Sequence, residues 1–313
     1  MLKIGVAGVG YLGQHHARIY SELAAEPGDL ILSAVIDTNI RRAEEIASKY
    51  GCSAYADIES ALDHVDALSI ATPTTFHHDA ALKCIRSGKD ILIEKPITAT
   101  VAEADEIISL AQTAGLIVQI GHLERFNPAL SAASEILDSP QFFESERIGP
   151  FVGRGIDVDI SLDLMIHDID IVLSLLKSSG CSIGIKDIKA FGTKLITENI
   201  DMCRAWIEFE CGAEASFTAS RISMGRARRM RVYQPSSYID LDYQTMELVQ
   251  SLEEAGQIVH KPLAVAKSEP LREELRHFIH CVKNRSTPLV TAADGRDALK
   301  IAFEISNIIK GKA

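Results

Sequence analysis

The first 120 residues repeat one pattern: a short apolar run, then a helical stretch, then a glycine or proline that ends it. The apolar runs are residues 3–9, 31–36, 67–71, 91–93 and 116–120. Residues 14–25, 41–50, 78–87 and 101–114 read as the helices between them. Pro27 with Gly28, Gly51, Gly88 and Gly115 close those helices, and Thr72 with Pro73 stops the third run. Runs of this kind alternating with helices predict a doubly wound parallel sheet over residues 1–121.

The pattern changes after Gly121. Residues 128–137 read as a helix, and period-two alternation runs from about residue 185 to residue 243. Residues 202–210 and 213–220 form a hairpin pattern around Cys211 and Gly212. Two helices follow, near residues 271–283 and 294–309. Residues 122–313 are therefore expected to form a second domain around an antiparallel sheet. Between the halves, residues 161–174 have a helical pattern that is apolar around most of its circumference. Its polar exceptions, Asp163, His167, Asp170 and Ser174, are spaced to share one face. Such a stripe faces either a wet cleft or plain solvent. In the first case the Asp163 carboxylate orients the His167 imidazole for proton transfer; in the second the two are an ordinary surface pair.

Candidate chemistry sits at the ends of the runs. Gly8-Val9-Gly10-Tyr11-Leu12-Gly13 is a G-x-G-x-x-G between the first run and the first helix. The first glycine allows a tight turn, the second lets backbone approach a diphosphate, and the third lets the helix pack on the strand. The helix N-terminus then faces the anion. Asp37 ends the second run, where an acidic residue binds ribose hydroxyls. This combination points to a dinucleotide, with NAD favoured over NADP because the Asp37 charge repels a 2′-phosphate. Ile91-Leu92-Ile93 leads into Glu94-Lys95-Pro96. At the carboxyl end of a parallel strand a lysine reaches a ligand; by itself the tripeptide could equally be a surface turn.

The formal net charge of −11 argues against nucleic acid as a partner. The six cysteines contain no C-x-x-C pair, which suits reduced thiols in the cytoplasm. No apolar run has the ~18 residues of a membrane span. His15 with His16, and His77 with His78, lack a third converging ligand, so no metal site is expected. Arg221, Arg226, Arg228, Arg229 and Arg231 are the one dense basic cluster. It is either a solvated edge strand or an anchor for a diphosphate or carboxylate.

Gly8-x-Gly10-x-x-Gly13, Thr72-Pro73 with His77, Glu94-Lys95-Pro96 and Asp163-x-x-x-His167 together resemble the glucose–fructose oxidoreductase / inositol dehydrogenase / rhizopine catabolism (Gfo/Idh/MocA) family. The resemblance covers nearly the whole chain. It implies a Rossmann domain, then an α+β domain with an open, mostly antiparallel sheet, and a nicotinamide cofactor. It further implies cofactor contacts from Gly8, Gly10, Tyr11, Leu12, Gly13, Asp37, Thr72, Pro73, His77, Glu94, Lys95 and Pro96. Lys95, Asp163 and His167 match the family's catalytic residues, with His167 taking the hydroxyl proton and Lys95 polarising the hydroxyl. The glycines often found before this helix in the family are replaced by Asp157-Val158-Asp159-Ile160. Residues 121–128, 163–170 and 220–223 look most like the UDP-N-acetylglucosamine 3-dehydrogenases of lipid A pathways. That likeness implies a nucleotide-sugar substrate held by Lys95, Arg125, Asp163, His167 and Arg221. It also implies a homodimer or homotetramer formed through the second domain's sheet. A dehydrogenase of a free polyol, inositol or sugar acid is the first alternative, and a non-catalytic NAD-binding regulator is the second.

Overall fold

The computed structural model describes residues 1–153, 155, 156 and 158–311. They divide into two units, Met1–Leu123 with Leu271–Arg296, and Glu124–Pro270 with Asp297–Ala313. In the first unit, β1 (Leu2–Ala7), β2 (Leu30–Ile36), β3 (Ser53–Tyr55), β4 (Ala67–Ile70), β5 (Asp90–Glu94) and β6 (Val118–Gly121) form one sheet. Its order is β3-β2-β1-β4-β5-β6, and every pairing is parallel. The crossovers carry α1 (Gly13–Ala24), α2 (Ile40–Tyr50), α3 (His77–Arg86) and α4 (Val101–Ala114). Strands covered on both faces need apolar side chains throughout. Ile91, Leu92 and Ile93 of β5 are accordingly all fully buried, each worth roughly 1.5–3 kcal/mol. Thr100 caps α4 in a reciprocal capping box with Glu103, and Gly51 and Gly115 take left-handed conformations at the ends of α2 and α4.

A division at residue 121 leaves out one piece of this unit. α7 (Pro270–Asn284) contributes Leu275, Phe278, Ile279 and Val282 to the same apolar core as Ile4, Val6, Tyr20 and Leu30. Gln119 of β6 donates to the Glu274 carbonyl, and the Ile120 N–H to the Val290 carbonyl. The amphipathic pattern of α7 shows that it has an apolar face but not which sheet receives it.

The second unit holds β7 (Phe142–Ile148), β8 (Ile185–Thr193), β9 (Met202–Phe209), β10 (Glu214–Ser220), β11 (Ala227–Gln234), β12 (Ser237–Asp242), β13 (Glu247–Glu254) and β14 (Gln257–Leu263). Their order is β14-β13-β12-β11-β7-β10-β9-β8. The β7–β10 pair is parallel and the rest are antiparallel. One face buries Phe143, Ala205, Ile207, Phe217, Met230, Val232 and Ile239. The helices of this unit are α5 (Pro128–Glu135), α6 (Ile166–Ser178) and the rest of α8 (Ala292–Ile309) beyond Arg296. The opposite face carries an aromatic row. Phe142 lies 5.1 Å from Trp206 and 5.8 Å from Tyr233, and Tyr233 stacks on Tyr238 at 5.7 Å. Trp206 is 43% exposed and Phe191 67%.

All six cysteines are free thiols. Among the described residues, no helix is long and apolar enough to cross a membrane, and no cluster of three or more His, Cys, Asp or Glu could hold a metal ion.

The first unit contains one uncompensated acid. Glu274 is fully buried, and neither carboxylate oxygen has a hydrogen-bond partner among the described residues. Burial and the nearby Glu94 push its pKa well above the ordinary value. The folded chain therefore keeps a proton that the unfolded chain loses above about pH 4.3. The associated stability is complete below that pH and declines as pH rises toward the folded-state pKa. Glu274→Gln should match the wild type near pH 4 and become progressively more stable than it between pH 5 and 8. Urea midpoints across that range check this; parallel curves would show Glu274 to be ionised in the fold.

Candidate functional site

In the first unit the candidate residues gather at the carboxyl ends of β1, β2, β4 and β5, where the strand order reverses between β1 and β4. That is where an open parallel sheet binds ligands. Gly8 has φ +81°, and a Cβ there would stand 2.7 Å from the Ala71 carbonyl oxygen. A Cβ on Gly13 would lie 1.7 Å from the Gly8 carbonyl oxygen. Both glycines are thus required by close packing. Gly10 differs, since nothing lies within 4 Å of where its Cβ would be. That bare backbone, ahead of the N-terminus of α1, leaves a cradle that fits a dinucleotide's diphosphate. Tyr11 is exposed beside it and Leu12 is half-buried.

Asp37 follows β2, and its carboxylate accepts from the N–H groups of Val9 (3.1 Å) and Asn39 (2.9 Å). The acid is therefore fixed against the glycine loop with lone pairs to spare. Arg42 donates to the Val9 carbonyl, Gln14 and Glu45 at 3.0, 3.0 and 2.7 Å. Thr72 and Pro73 follow β4. Buried His77 has its ring nitrogens 2.8 Å from the Thr72 carbonyl oxygen and 2.9 Å from that of Pro96. It bridges the segments after β4 and β5, and burial pushes its pKa down. Lys95 and Pro96 follow β5, joined by a cis peptide bond.

The side chain of Glu94, one of the expected cofactor contacts, turns toward the interior of the unit. Its buried carboxylate lies 3.0 Å from Nε2 of fully buried His16, and a Cβ on Gly121 would approach it to 2.8 Å. As the last residue of β5 it points into the unit while Lys95 continues out of the strand, so it positions the turn.

In the second unit, Asp163 and His167 do not share one regular helix. Ser161–Met165 form a π-helical turn, which leads directly into α6 at Ile166. Such turns re-aim side chains and recur at functional sites. His167 is 9% exposed, and Asp163 lies against Gly155, which has φ +64°. A Cβ on Gly155 would come within 2.3 Å of the Asp163 carboxylate, so this glycine makes room for the acid. Asp159 ties the segment before the turn to the Ile200 N–H and to Ser306 and Lys310. Asp157 lies outside the described residues.

Two proposed substrate anchors have other work. Arg221 is 6% exposed, and its guanidinium donates to the carbonyls of Gly155 (2.6 Å) and Val158 (2.8 Å). It clamps the loop ahead of Asp163 through these two bonds. Arg125 is nearly buried and pairs with Asp170 at 3.5 Å, so it secures α6. On β11, Arg229 and Arg231 point to the aromatic face and pair with Asp240 and Glu144. Arg228 has only Glu124, at 4.0 Å, and Arg226 pairs with no described residue.

The sequence reading missed the residues that hold His167 in place. Asp168 is 2% exposed and receives two bonds from Arg147 of β7, at 3.0 and 2.8 Å. Arg147 also donates to buried Glu124 at 2.9 Å and lies under the Tyr243 ring. Burial pushes the Arg147 pKa down, but the two carboxylates outweigh it and hold the charge in place. An acid on the apolar side of the helix pattern was the available signal, since such a residue requires a partner.

Arg147→Met should cost about 3–5 kcal/mol, because it strands two buried carboxylates. Combining it with Asp168→Leu should recover part of that loss. Denaturant midpoints of the two single variants and the pair measure the coupling; strict additivity would mean that the contact carries no energy.

Residues 2–122 match the family model described as "Oxidoreductase family, NAD-binding Rossmann fold" (GFO_IDH_MocA). The chain is 33% identical over 311 residues to the UDP-N-acetylglucosamine 3-dehydrogenase of Acidithiobacillus ferrooxidans, covering 97% of this chain and 96% of that one. It is 28% identical to the scyllo-inositol 2-dehydrogenase (NAD(+)) of Bacillus subtilis, over 98% and 93% of the two chains. A solved structure of the Acidithiobacillus enzyme superposes with a TM-score of 0.91 at 32% identity, over 99% of this chain and 98% of that one. A levoglucosan dehydrogenase in complex with NADH and levoglucosan shares the fold, with a TM-score of 0.88 at 17% identity over 100% and 98%. By the full-length likeness and the matched Rossmann domain, the chain belongs to the Gfo/Idh/MocA family of oxidoreductases and is an enzyme of the dehydrogenase type.

Proposed function

We propose that this enzyme oxidises a secondary hydroxyl of a nucleotide sugar, converting UDP-N-acetylglucosamine to its 3-keto form with NAD. The observation that carries the reading is the 33% identity to a UDP-N-acetylglucosamine 3-dehydrogenase through both units of the chain. The Bacillus relative keeps a second reading in play, a dehydrogenase of a free polyol. A non-catalytic regulator is disfavoured by the presence of both Lys95 and His167.

In this reading the bare backbone at Gly10 and the α1 N-terminus hold the diphosphate of the dinucleotide, and Asp37 accepts from its ribose hydroxyls. When bound, NAD supplies the hydride acceptor. His167 takes the proton of the substrate hydroxyl as the carbon–hydrogen bond gives up its hydride, and a ketone is left. Lys95 polarises the same hydroxyl. Asp163, seated against Gly155, orients the imidazole. The Arg147–Asp168 pair keeps that stretch of helix from turning away.

Three tests follow from these assignments. NAD should bind more tightly than NADP, because Asp37 repels a 2′-phosphate and the donors of Arg42 are already engaged; calorimetric titration of both nucleotides decides it, and tighter NADP binding would refute it. Lys95→Met and His167→Ala should retain NAD affinity and lose about 10²–10⁴-fold in kcat; wild-type turnover in either variant removes that residue from the chemistry. NADH should form faster with UDP-N-acetylglucosamine than with free N-acetylglucosamine, glucose or inositol, in an assay with a carbonyl trap. Equal rates would leave the polyol reading.

We also propose a cytoplasmic homodimer or homotetramer that buries the aromatic face of the second unit. An apolar row exposed in the middle of a sheet is the supporting observation. Sedimentation should show more than one subunit per particle, and Trp206→Glu should shift the distribution toward monomer. An oligomer untouched by that change would place the contact elsewhere.

A further inference from the structure

We infer that Arg226 and Arg228 form an anion subsite for the diphosphate of the substrate, separate from the dinucleotide cradle. The inference rests on the nucleotide-sugar reading and specifies which residues would recognise it. Five arginines lie within residues 221–231, and the structure sorts them. Arg221 is spent on two carbonyls, and Arg229 and Arg231 on Asp240 and Glu144. Arg226 is exposed and makes no ion pair or hydrogen bond with any described residue, its stem passing over Gly149 just beyond β7.

Arg228 is placed less comfortably. In the β11–β7 register it stands directly opposite Arg147, and like charges facing each other across strands destabilise a sheet. The nearest carboxylate, Glu124, is 4.0 Å away and already bonded to Arg147 at 2.9 Å. Burial, then Arg147, pushes the Arg228 pKa down, and Arg226 adds to the effect. Within this group Glu124 and Asp168 balance only two of the three cations Arg147, Arg226 and Arg228. One positive charge is left over, on two guanidinium groups that neighbour each other on one face of β11 and its approach. A diphosphate answers both, since guanidinium forks bind phosphate oxygens in pairs.

The location suits a substrate subsite. Arg147 is bonded to Asp168, the residue after His167. The Arg226 and Arg228 guanidinium groups are therefore one side chain removed from the helix that bears the proposed proton acceptor. Everything named lies within the second unit. A cation crowded against another across a strand pair weakens the fold, as groups held for a ligand often do.

The test uses the full-length protein with saturating NADH, so that the dinucleotide cradle is filled. Inorganic pyrophosphate and UDP are titrated into the wild type, Arg226→Gln, Arg228→Gln and the double variant. The double variant should lose at least tenfold in affinity for both. With UDP-N-acetylglucosamine, KM should rise at least tenfold and kcat should stay within about twofold, the pattern of an anchor that acts in ground-state binding. Arg228→Gln should hold or raise the melting temperature, since it removes a crowded charge. Unchanged affinities would overturn the inference, and so would a joint fall in melting temperature and kcat, which marks a structural arginine. If the wild type oxidises free sugars as well as UDP-N-acetylglucosamine, the nucleotide-sugar reading fails by itself. The pyrophosphate titration then decides the subsite alone: a tenfold loss upholds an anion site, and no loss ends it.

Discussion

The second unit depends on one buried ion group. α6 is apolar on nearly every side, so apolar packing alone would let it rotate or slide on its sheet with little penalty. The Arg147 guanidinium removes that freedom, because its two bonds to Asp168 have a fixed direction. The third bond, to Glu124, ties in the start of the segment that leads through Asn127 to α5. Asn127 caps α5 through the Ala129 N–H and donates to the Tyr243 carbonyl. A single cation thus locates a helix, a strand end and a helix cap. Buried ion pairs are seldom worth much in net stability, but they are costly to break and they specify register. Register is what His167, one residue from Asp168, needs if it is to act as proposed.

The first unit solves the same positioning problem with backbone. Gly8, Gly13 and Gly121 each sit where a Cβ would collide with a neighbour, so the loops after β1 and β6 close tightly against their surroundings. Polar side chains then fix what remains. His77 joins the segments after β4 and β5, Asp37 is oriented by two N–H groups, and Glu94 turns inward to His16. Lys95 comes out of β5 with the residues on either side of it anchored.

Legibility in the sequence followed the strength of each physical signal. The parallel sheet was readable because strands buried on both faces show as unbroken apolar runs, and the glycine loop because its turn tolerates little else. β3, with three residues, β13 and β14 were missed; β14 is exposed along most of its length, so its alternation has no buried phase to read. β7 was missed although Phe142–Ile148 alternates cleanly, because Arg147 occupies an inward position where an apolar residue is expected. The same inward arginine is the partner of Asp168, so one unusual residue hid both a strand and a clamp. The π-helical turn also left no trace, since a polar stripe at i, i+4 and i+7 reads as one regular helix. The inward course of Glu94 was hidden for a different reason: it depends on His16, 78 positions earlier in the chain.

The arginines of β11 show how far strand geometry can take a compositional signal. A cluster of like charges reads from sequence as a solvated edge or an anion site, and the choice stays open. Side chains alternate across a strand, so one basic run delivers charge to both faces of the sheet. Arg229 and Arg231 go to the face with Glu144 and Asp240, where carboxylates on neighbouring strands neutralise them. Arg228 goes to the face that already holds Arg147. There the carboxylates are committed, and a second cation gains little from them. A surface selected for stability alone would carry an apolar or acidic residue at that position. Charge kept where the fold gives it little return suits a partner outside the fold, and two adjacent guanidinium groups suit the anion proposed above, one with more than one phosphate oxygen to offer.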